Sequence, residues 1–174
     1  PQDRRAATNL LMAQQYNPRH TAEGLRESAR HWGQLWSLPQ AEQPFEPFTG
    51  GRPLRIGYLS SDFRQHPIGW LLAPVLAAHD PAAVEVHAFD TDTGRQAGDP
   101  LKAELRAQVP HWHAVGGLDD GALATRVRAA GIDVLIELAG HTEGGRLGVL
   151  AHRPAPVQLS WLGYFASTGV PAVD

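Results

Sequence analysis

The residues of this sequence best suited to chemistry are Asp62 and His66, in the segment 60–70 (SSDFRQHPIGW). The segment follows an apolar run and precedes a helical pattern. Pro67 suits the first helical position because its missing N–H would have no partner there, so His66 is the predicted helix cap. A helix N-terminus beside a parallel strand attracts phosphate groups, and a neutral histidine there can accept a proton or polarise an oxygen. The pattern fits equally well a loop in which Asp62 and His66 only cap backbone groups.

Two other polar segments follow predicted strands, at residues 140–145 and 163–169. The first contains His141 and Thr142, and the second contains Tyr164. Because the carboxyl ends of parallel strands meet at one edge of a sheet, we expect both segments to converge on the first one. For His141, a role limited to hydrogen bonding with nearby backbone carries about equal weight.

The elements that must position these residues alternate between strand and helix. Apolar runs predict strands at residues 54–59, 84–90, 111–115, 132–139 and 157–162, and helical patterns lie at residues 68–79, 100–108, 119–130 and 143–153. This order predicts an α/β fold with a doubly wound, Rossmann-like parallel sheet. The most apolar strand, at residues 132–139, is expected at the sheet centre, and Trp161 is expected in the core.

Residues 1–37 predict a helical hairpin before this sheet. Apolar side chains recur at helical spacing within residues 3–15 and 21–36, and Thr21 suits the N-cap of the second helix. Two helices cannot bury an apolar face by themselves, so we expect the hairpin to pack on the domain that follows or on preceding helices.

Residues 38–53 separate the hairpin from the sheet and predict a linker. They contain four prolines and the pair Gly50-Gly51, which favour turns over regular structure. Residues 54–174 are then the predicted Rossmann-like lobe. Its last strand leads into a glycine-containing loop with no helix after it, so we expect this lobe to be incomplete and a larger protein to continue.

The composition excludes several classes of protein. The net charge is −3, which gives no basic surface for nucleic acid, and no apolar run approaches the ~20 residues of a membrane span. The chain has no cysteine, which excludes disulfides, thiol catalysis and cysteine-bound zinc. We therefore expect a globular, cytoplasmic protein.

Two further patterns indicate other chemistry with less support. His111 and His113 share one face of a predicted strand at a spacing that can bind metal, but without a third ligand nearby in the sequence we interpret them as surface residues. Asp90 ends the second strand, where dinucleotide enzymes bind ribose, yet the G-x-G-x-x-G motif is absent after the first strand. The P-loop, G-x-S-x-G and H-E-x-x-H motifs are absent as well.

Four segments in order carry a resemblance to a known family. They are residues 54–63 (LRIGYLSSDF) with His66-Pro67, then Gly140-His141-Thr142, then residues 153–158 (RPAPVQ), then residues 161–164 (WLGY). Together they resemble the catalytic region of O-GlcNAc transferases, and more closely a bacterial homologue of that family. The resemblance runs from residue 54 to the end, and the hairpin more loosely resembles the segment that joins tetratricopeptide repeats to that region.

The resemblance implies the amino-terminal lobe of a two-lobed GT-B glycosyltransferase. It implies inverting transfer of N-acetylglucosamine from UDP-GlcNAc to serine or threonine hydroxyls of proteins, without a metal or other cofactor. The implied partners are UDP-GlcNAc, a protein or peptide acceptor, and the second lobe and repeats of the same protein. That second lobe would hold most of the uridine and diphosphate, and neither nucleic acid nor membrane is an expected partner.

The resemblance also assigns roles to residues. Asp62 and His66 match two disputed candidates for the catalytic base. The predicted substrate-binding residues are Gln65, Pro67, His141, Thr142, Leu162, Gly163 and Tyr164. Animal enzymes have threonine at the position of Ile68 and proline at the position of Phe165, which changes contacts near the sugar and acceptor.

Two other functions are open at this point. The departures near His66 slightly favour a binding or scaffold module with a vestigial sugar-nucleotide cleft. A different nucleotide-dependent α/β enzyme would require the motif match to be accidental.

Overall fold

The structure is a computed structural model that describes residues 3–38, 45, 48–94 and 98–174. Its helices are α1 (Arg4–Gln15), α2 (Ala22–Gly33), α3 (Pro67–Ala78), α4 (Pro100–Gln108), α5 (Asp120–Ala129) and α6 (Leu147–Ala151), and its strands are β1 (Leu54–Ser60), β2 (Val84–Asp90), β3 (His111–Ala114), β4 (Val134–Glu137) and β5 (Val157–Ser160). A short 3₁₀ turn, Gln34–Trp36, follows α2. Within these described segments, every helix is too short or too polar to cross a bilayer.

The five strands form one parallel sheet in the order β3-β2-β1-β4-β5. The predicted α/β fold class is therefore confirmed. The expectation that the strand at residues 132–139 occupies the centre is wrong. The chain first extends the sheet from β1 to β3 and then crosses back to add β4 and β5, which leaves β1 in the middle. The strand order reverses beside β1, and such a reversal opens a crevice where ligands bind.

Helices cover both faces of the sheet because side chains alternate along each strand. Tyr58 of β1 belongs to the core under α3 and α4, and Leu59 belongs to the core under α5 and α6. The first core also contains Phe63, Leu72, Val86 and Leu105, and the second also contains Phe89, Leu123, Leu135 and Leu150.

The helical hairpin packs on the domain that follows, which is one of its two predicted positions, and it lies on the α5–α6 side. Ala7 of α1 and Trp36 after α2 are buried in that core. Thr21 caps α2 by accepting the Gly24 N–H at 3.1 Å. A Cβ on Gly33 would overlap the Gly169 carbonyl, so α2 lies directly against the last loop.

The structure departs from the predicted elements at residues 143–153 and at Trp161. The helix expected at residues 143–153 is reduced to α6, because residues 140–146 form a loop tied to the end of β4. Trp161 is 41% exposed, so its predicted place in the core is wrong; β5 has already ended at Ser160. Half of the predicted linker at residues 38–53 lies outside the described residues, and the domain division stays a prediction.

Candidate active site

The ends of β1, β2, β4 and β5 surround an open cleft of about 710 Å³ at the carboxyl edge of the sheet. The three segments expected to converge do meet here, and the end of β2 adds a fourth wall. The predicted site residues that line the cleft are Asp62, His66, Pro67, Thr142, Leu162 and Gly163.

The segment between β1 and α3 forms the first wall. Asp62 is 5% exposed, and its backbone N–H donates to Ser60 Oγ at 2.9 Å. Its Oδ1 accepts a hydrogen bond from Arg64 Nη2 at 2.8 Å, and its Oδ2 lies 3.8 Å from His66 Nδ1. Asp62 is thus a buried carboxylate held between a guanidinium and an imidazole that both line the cleft. Sequence analysis missed Arg64, although it is a cation between the two residues already singled out.

His66 caps α3, as its position before Pro67 predicted. Its Nδ1 accepts the Ile68 N–H at 3.2 Å. A ring nitrogen that accepts a hydrogen bond carries no proton, so the proton of this ring lies on Nε2. The His66 side chain is 34% exposed and borders the cleft. In this tautomer His66 offers the cleft a hydrogen-bond donor.

Close packing holds this wall against the first turn of α3. A Cβ on Gly69 would overlap the Arg64 carbonyl oxygen. The Gln65 N–H donates to both carboxylate oxygens of Asp99, at 3.0 and 3.2 Å, and Asp99 also caps α4. Gln65, predicted to bind substrate, is exposed and does not line the cleft. Its hydrogen bonds to Asp99 are made by its backbone and not by its side chain.

An ion-pair cluster that sequence analysis did not find lies at the end of β2. Lys102 Nζ is 2.7 Å from Asp90 Oδ2 and 2.9 Å from Asp92 Oδ2, and Asp92 lines the cleft. Burial alone lowers the pKa of Lys102, but hydrogen bonds to the two carboxylates raise that pKa above its ordinary value. A signal was available, because Lys102 is the single lysine among 15 basic residues.

Glu137 ends β4 and organises the loop that follows. Its side chain is 1% exposed and accepts the N–H groups of Ala139 at 3.2 Å, Gly140 at 2.6 Å and Arg146 at 3.3 Å. Burial raises the pKa of Glu137 to about 7, although these three bonds oppose the rise. The sequence held a signal for it, since an acid inside an apolar strand is seldom buried without a partner.

His141 and Tyr164, both predicted to bind substrate, are buried and do not line this cleft, although their segments converge on it. His141 is 1% exposed; its Nε2 lies 2.8 Å from the Thr168 carbonyl oxygen and its Nδ1 lies 3.3 Å from Thr8 Oγ1. Its ring meets the Tyr164 ring edge-on, with centroids 5.2 Å apart. Burial lowers the pKa of His141, which favours the neutral ring. His141 therefore joins the β4 exit to α1 and to the last loop.

The exits of β4 and β5 also line the cleft. The Thr142 hydroxyl donates to the Ala139 carbonyl at 2.7 Å and stays within its own loop. Leu162 has a φ of 77°, a left-handed conformation that residues with side chains adopt at a cost. A Cβ on Gly163 would overlap the Leu138 carbonyl. This side of the cleft therefore depends on a strained turn packed against β4.

Comparison with known proteins places this arrangement in a family. The family model described as "Glycosyl transferase family 41" matches residues 38–174. The chain is 33% identical over 180 residues to the probable UDP-N-acetylglucosamine--peptide N-acetylglucosaminyltransferase SPINDLY of Hordeum vulgare, and 34% identical over 125 residues to the UDP-N-acetylglucosamine--peptide N-acetylglucosaminyltransferase of Caenorhabditis elegans. These alignments cover 100% and 71% of this chain.

A solved structure shows the same fold. A variant of the Thermobaculum terrenum O-GlcNAc transferase superposes with a TM-score of 0.90 at 36% sequence identity, over 98% of this chain. The chain spans only 19% of the Hordeum vulgare relative, 11% of the Caenorhabditis elegans relative and 33% of the solved chain. Because the family model covers most of the sequence and the fold agrees with it, this chain belongs to glycosyl transferase family 41.

Proposed function

We propose that this chain is the amino-terminal lobe of a two-lobed GT-B enzyme that transfers N-acetylglucosamine from UDP-GlcNAc to serine or threonine hydroxyls of proteins, with inversion. The observation that carries the proposal is the meeting of Asp62, Arg64 and His66 in one cleft, at the N-terminus of α3 and beside the reversal of strand order. The names of the relatives support the donor and the acceptor class. The proposal includes a second lobe and tetratricopeptide repeats in the same protein, and residues 38–53 as the linker. It includes no metal in the transfer step. A cytoplasmic location is also part of the proposal, supported by the absence of cysteine.

The chemistry needs a base close to the acceptor. The acceptor oxygen forms a bond to the anomeric carbon, the bond from that carbon to the diphosphate breaks, and the hydroxyl proton passes to a protein group. His66 and Asp62 are the proposed groups, and Arg64 adds a positive charge beside them.

His66 must change tautomer to accept that proton. Its Nδ1 now accepts the Ile68 N–H, which leaves the proton on Nε2. If the ring turns so that Nδ1–H points to Asp62 Oδ2, 3.8 Å away, the Nε2 lone pair faces the cleft. In this proposal Asp62 stabilises the tautomer with the proton on Nδ1, which can act as a base through Nε2. The helix cap stabilises the resting tautomer, which has the proton on Nε2.

A cap-preserving variant tests this proposal. His66→Asn keeps a side-chain acceptor for the Ile68 N–H, so thermal stability should stay near that of the wild type. Turnover in the full-length protein should fall by roughly 10²–10⁴, the usual contribution of a positioned base. Asp62→Asn should produce a loss of similar size, because it removes the partner of the basic tautomer. Near-normal turnover of His66→Asn would remove His66 from the mechanism, and normal turnover of Asp62→Asn would exclude the Asp62-selected tautomer.

Nucleotide binding tests the two-lobed arrangement separately. UDP and UDP-GlcNAc would be titrated calorimetrically into the 174-residue chain and into the full-length protein. We expect binding by the full-length protein alone, since the second lobe is proposed to hold most of the nucleotide. Binding by neither would favour a scaffold module with a vestigial cleft.

A further inference from the structure

A cluster of imidazoles and one carboxylate lies near the amino ends of β2 and β3, away from the cleft. Glu85 and His87 share one face of β2, and His111 pairs with His87 across the parallel register. We name Glu85, His87 and His111 the strand triad. One ligand atom from each residue lies within 4.8 Å of the other two. None of the three lines the candidate active site.

The distances within the strand triad suit a small divalent ion. Zinc binds imidazole nitrogen at ~2.0–2.1 Å and carboxylate oxygen at ~2.0–2.2 Å, so neighbouring ligands in a tetrahedron lie ~3.3–3.5 Å apart. His87 Nε2 and His111 Nε2 lie 2.9 and 3.6 Å from Glu85 Oε1. We propose that the strand triad binds one zinc ion through two imidazoles and one carboxylate, with water in the fourth position.

The charge states of His87 and Glu85 agree with this proposal, although the resting tautomer of His87 does not. Burial lowers the pKa of His87, so its ring is neutral near pH 7. A hydrogen bond from His87 lowers the pKa of Glu85, so its carboxylate is ionised. Neutral imidazole and ionised carboxylate are the forms that zinc binds. Arg55 Nε also contacts Glu85 Oε1, at 3.2 Å, but a carboxylate has two oxygens and can serve both cations.

A second layer of contacts controls the His87 tautomer. Arg126 can only donate, so its contact with His113 Nδ1 at 3.2 Å leaves the His113 proton on Nε2. That proton faces His87 Nδ1 at 3.1 Å, which leaves the His87 proton on Nε2, toward Glu85. Zinc at His87 Nε2 requires the opposite tautomers of both rings. Arg126 therefore opposes zinc binding, through this tautomer chain and through its charge.

The test is calorimetric titration of zinc into the full-length protein after removal of bound metal with a chelator. We expect one zinc ion to bind to the wild type and the affinity to fall at least about tenfold in His111→Ala. The His111 side chain is 45% exposed, so we expect this variant to fold. His20→Ala is the matched control, because His20 is exposed in the α1–α2 turn and its loss should leave the affinity unchanged. Arg126→Ala should bind zinc more tightly than the wild type. Magnesium should not compete, since it prefers oxygen ligands.

Two results would overturn the proposal. One is no heat of binding with zinc at up to roughly 100 µM, a concentration well above that needed for a specific site. The other is an affinity equal in His111→Ala, His20→Ala and the wild type, which would locate the bound zinc elsewhere. Weaker binding in Arg126→Ala would contradict the tautomer chain. Saturation with zinc should also raise the melting temperature of the wild type, since the ion joins the edge strand β3 to β2.

Discussion

Replacement of Glu137 by glutamine should change how the stability of this protein depends on pH. Glu137 is almost completely buried and holds the loop between β4 and α6 through three backbone N–H groups. Glutamine has nearly the same shape and cannot ionise. Its amide NH2 cannot accept a backbone N–H as the second Glu137 oxygen does, so the variant loses hydrogen bonding by an amount that does not depend on pH. The pH dependence of the difference between variant and wild type therefore reports the charge of this side chain.

The size of the effect follows from the pKa. Burial raises the pKa of Glu137 from 4.5 to about 7. Because one pKa unit is worth about 1.4 kcal/mol, ionising Glu137 costs the folded state about 3 kcal/mol more than the unfolded state. The contribution of Glu137 to stability is thus complete below pH 4.5 and is lost as the pH rises through about 7. Glu137→Gln lacks this loss.

Urea unfolding followed by tryptophan fluorescence, from pH 4.5 to about 8, measures the effect. The free energy of unfolding of the variant relative to the wild type should rise by about 3 kcal/mol across this range. The variant must be compared with the wild type at each pH because His113 and His141 also titrate. Burial lowers the pKa of both histidines, so their contribution to the stability of the folded state grows as the pH rises. A constant difference between variant and wild type at every pH would refute the reasoning.

Two other substitutions test the walls of the cleft. Gly69→Ala should lower the free energy of unfolding by about 1–3 kcal/mol, because its Cβ would overlap the Arg64 carbonyl. Gly117→Ala is the control, since a Cβ there meets no atom within 4 Å, and it should change the free energy of unfolding by less than about 0.5 kcal/mol. Equal effects of the two substitutions would contradict the packing argument. Lys102→Met removes the cation that lies between the buried carboxylates of Asp90 and Asp92, and it should cost about 2–4 kcal/mol in urea unfolding at neutral pH. Lys102→Arg should recover part of the loss. A neutral effect of Lys102→Met would show that these ion pairs do not stabilise the fold.

Local sequence predicted the elements and their caps well. The alternation of apolar runs and helical patterns indicated the parallel α/β fold, and His66 and Thr21 cap the helices that follow them, as predicted. These features depend on residues a few positions apart, so the signal is contained in short segments. The position of Asp62 and His66 directly after a predicted strand also placed them at the carboxyl edge of the sheet, since every parallel strand ends there.

The position of each strand in the sheet was not available from local pattern. The apolar strand at residues 132–139 was expected at the centre, but the centre belongs to β1, because strand order follows from the crossovers. In the same way, adjacent loop residues separate in space: Thr142 lines the cleft, while His141 is buried behind it against α1.

By itself, the sequence determined the order of strands and helices, the helix caps, and the pairing of an acid with a histidine before α3. Only the tertiary structure decided that Lys102 neutralises two aspartates, that Glu137 anchors a loop of the cleft, and that His111 meets a histidine and a glutamate of β2. Some of these contacts join residues far apart in the chain, and all of them depend on burial and on the alignment of neighbouring strands. Such alignment is a property of the folded sheet, which no short stretch of sequence contains.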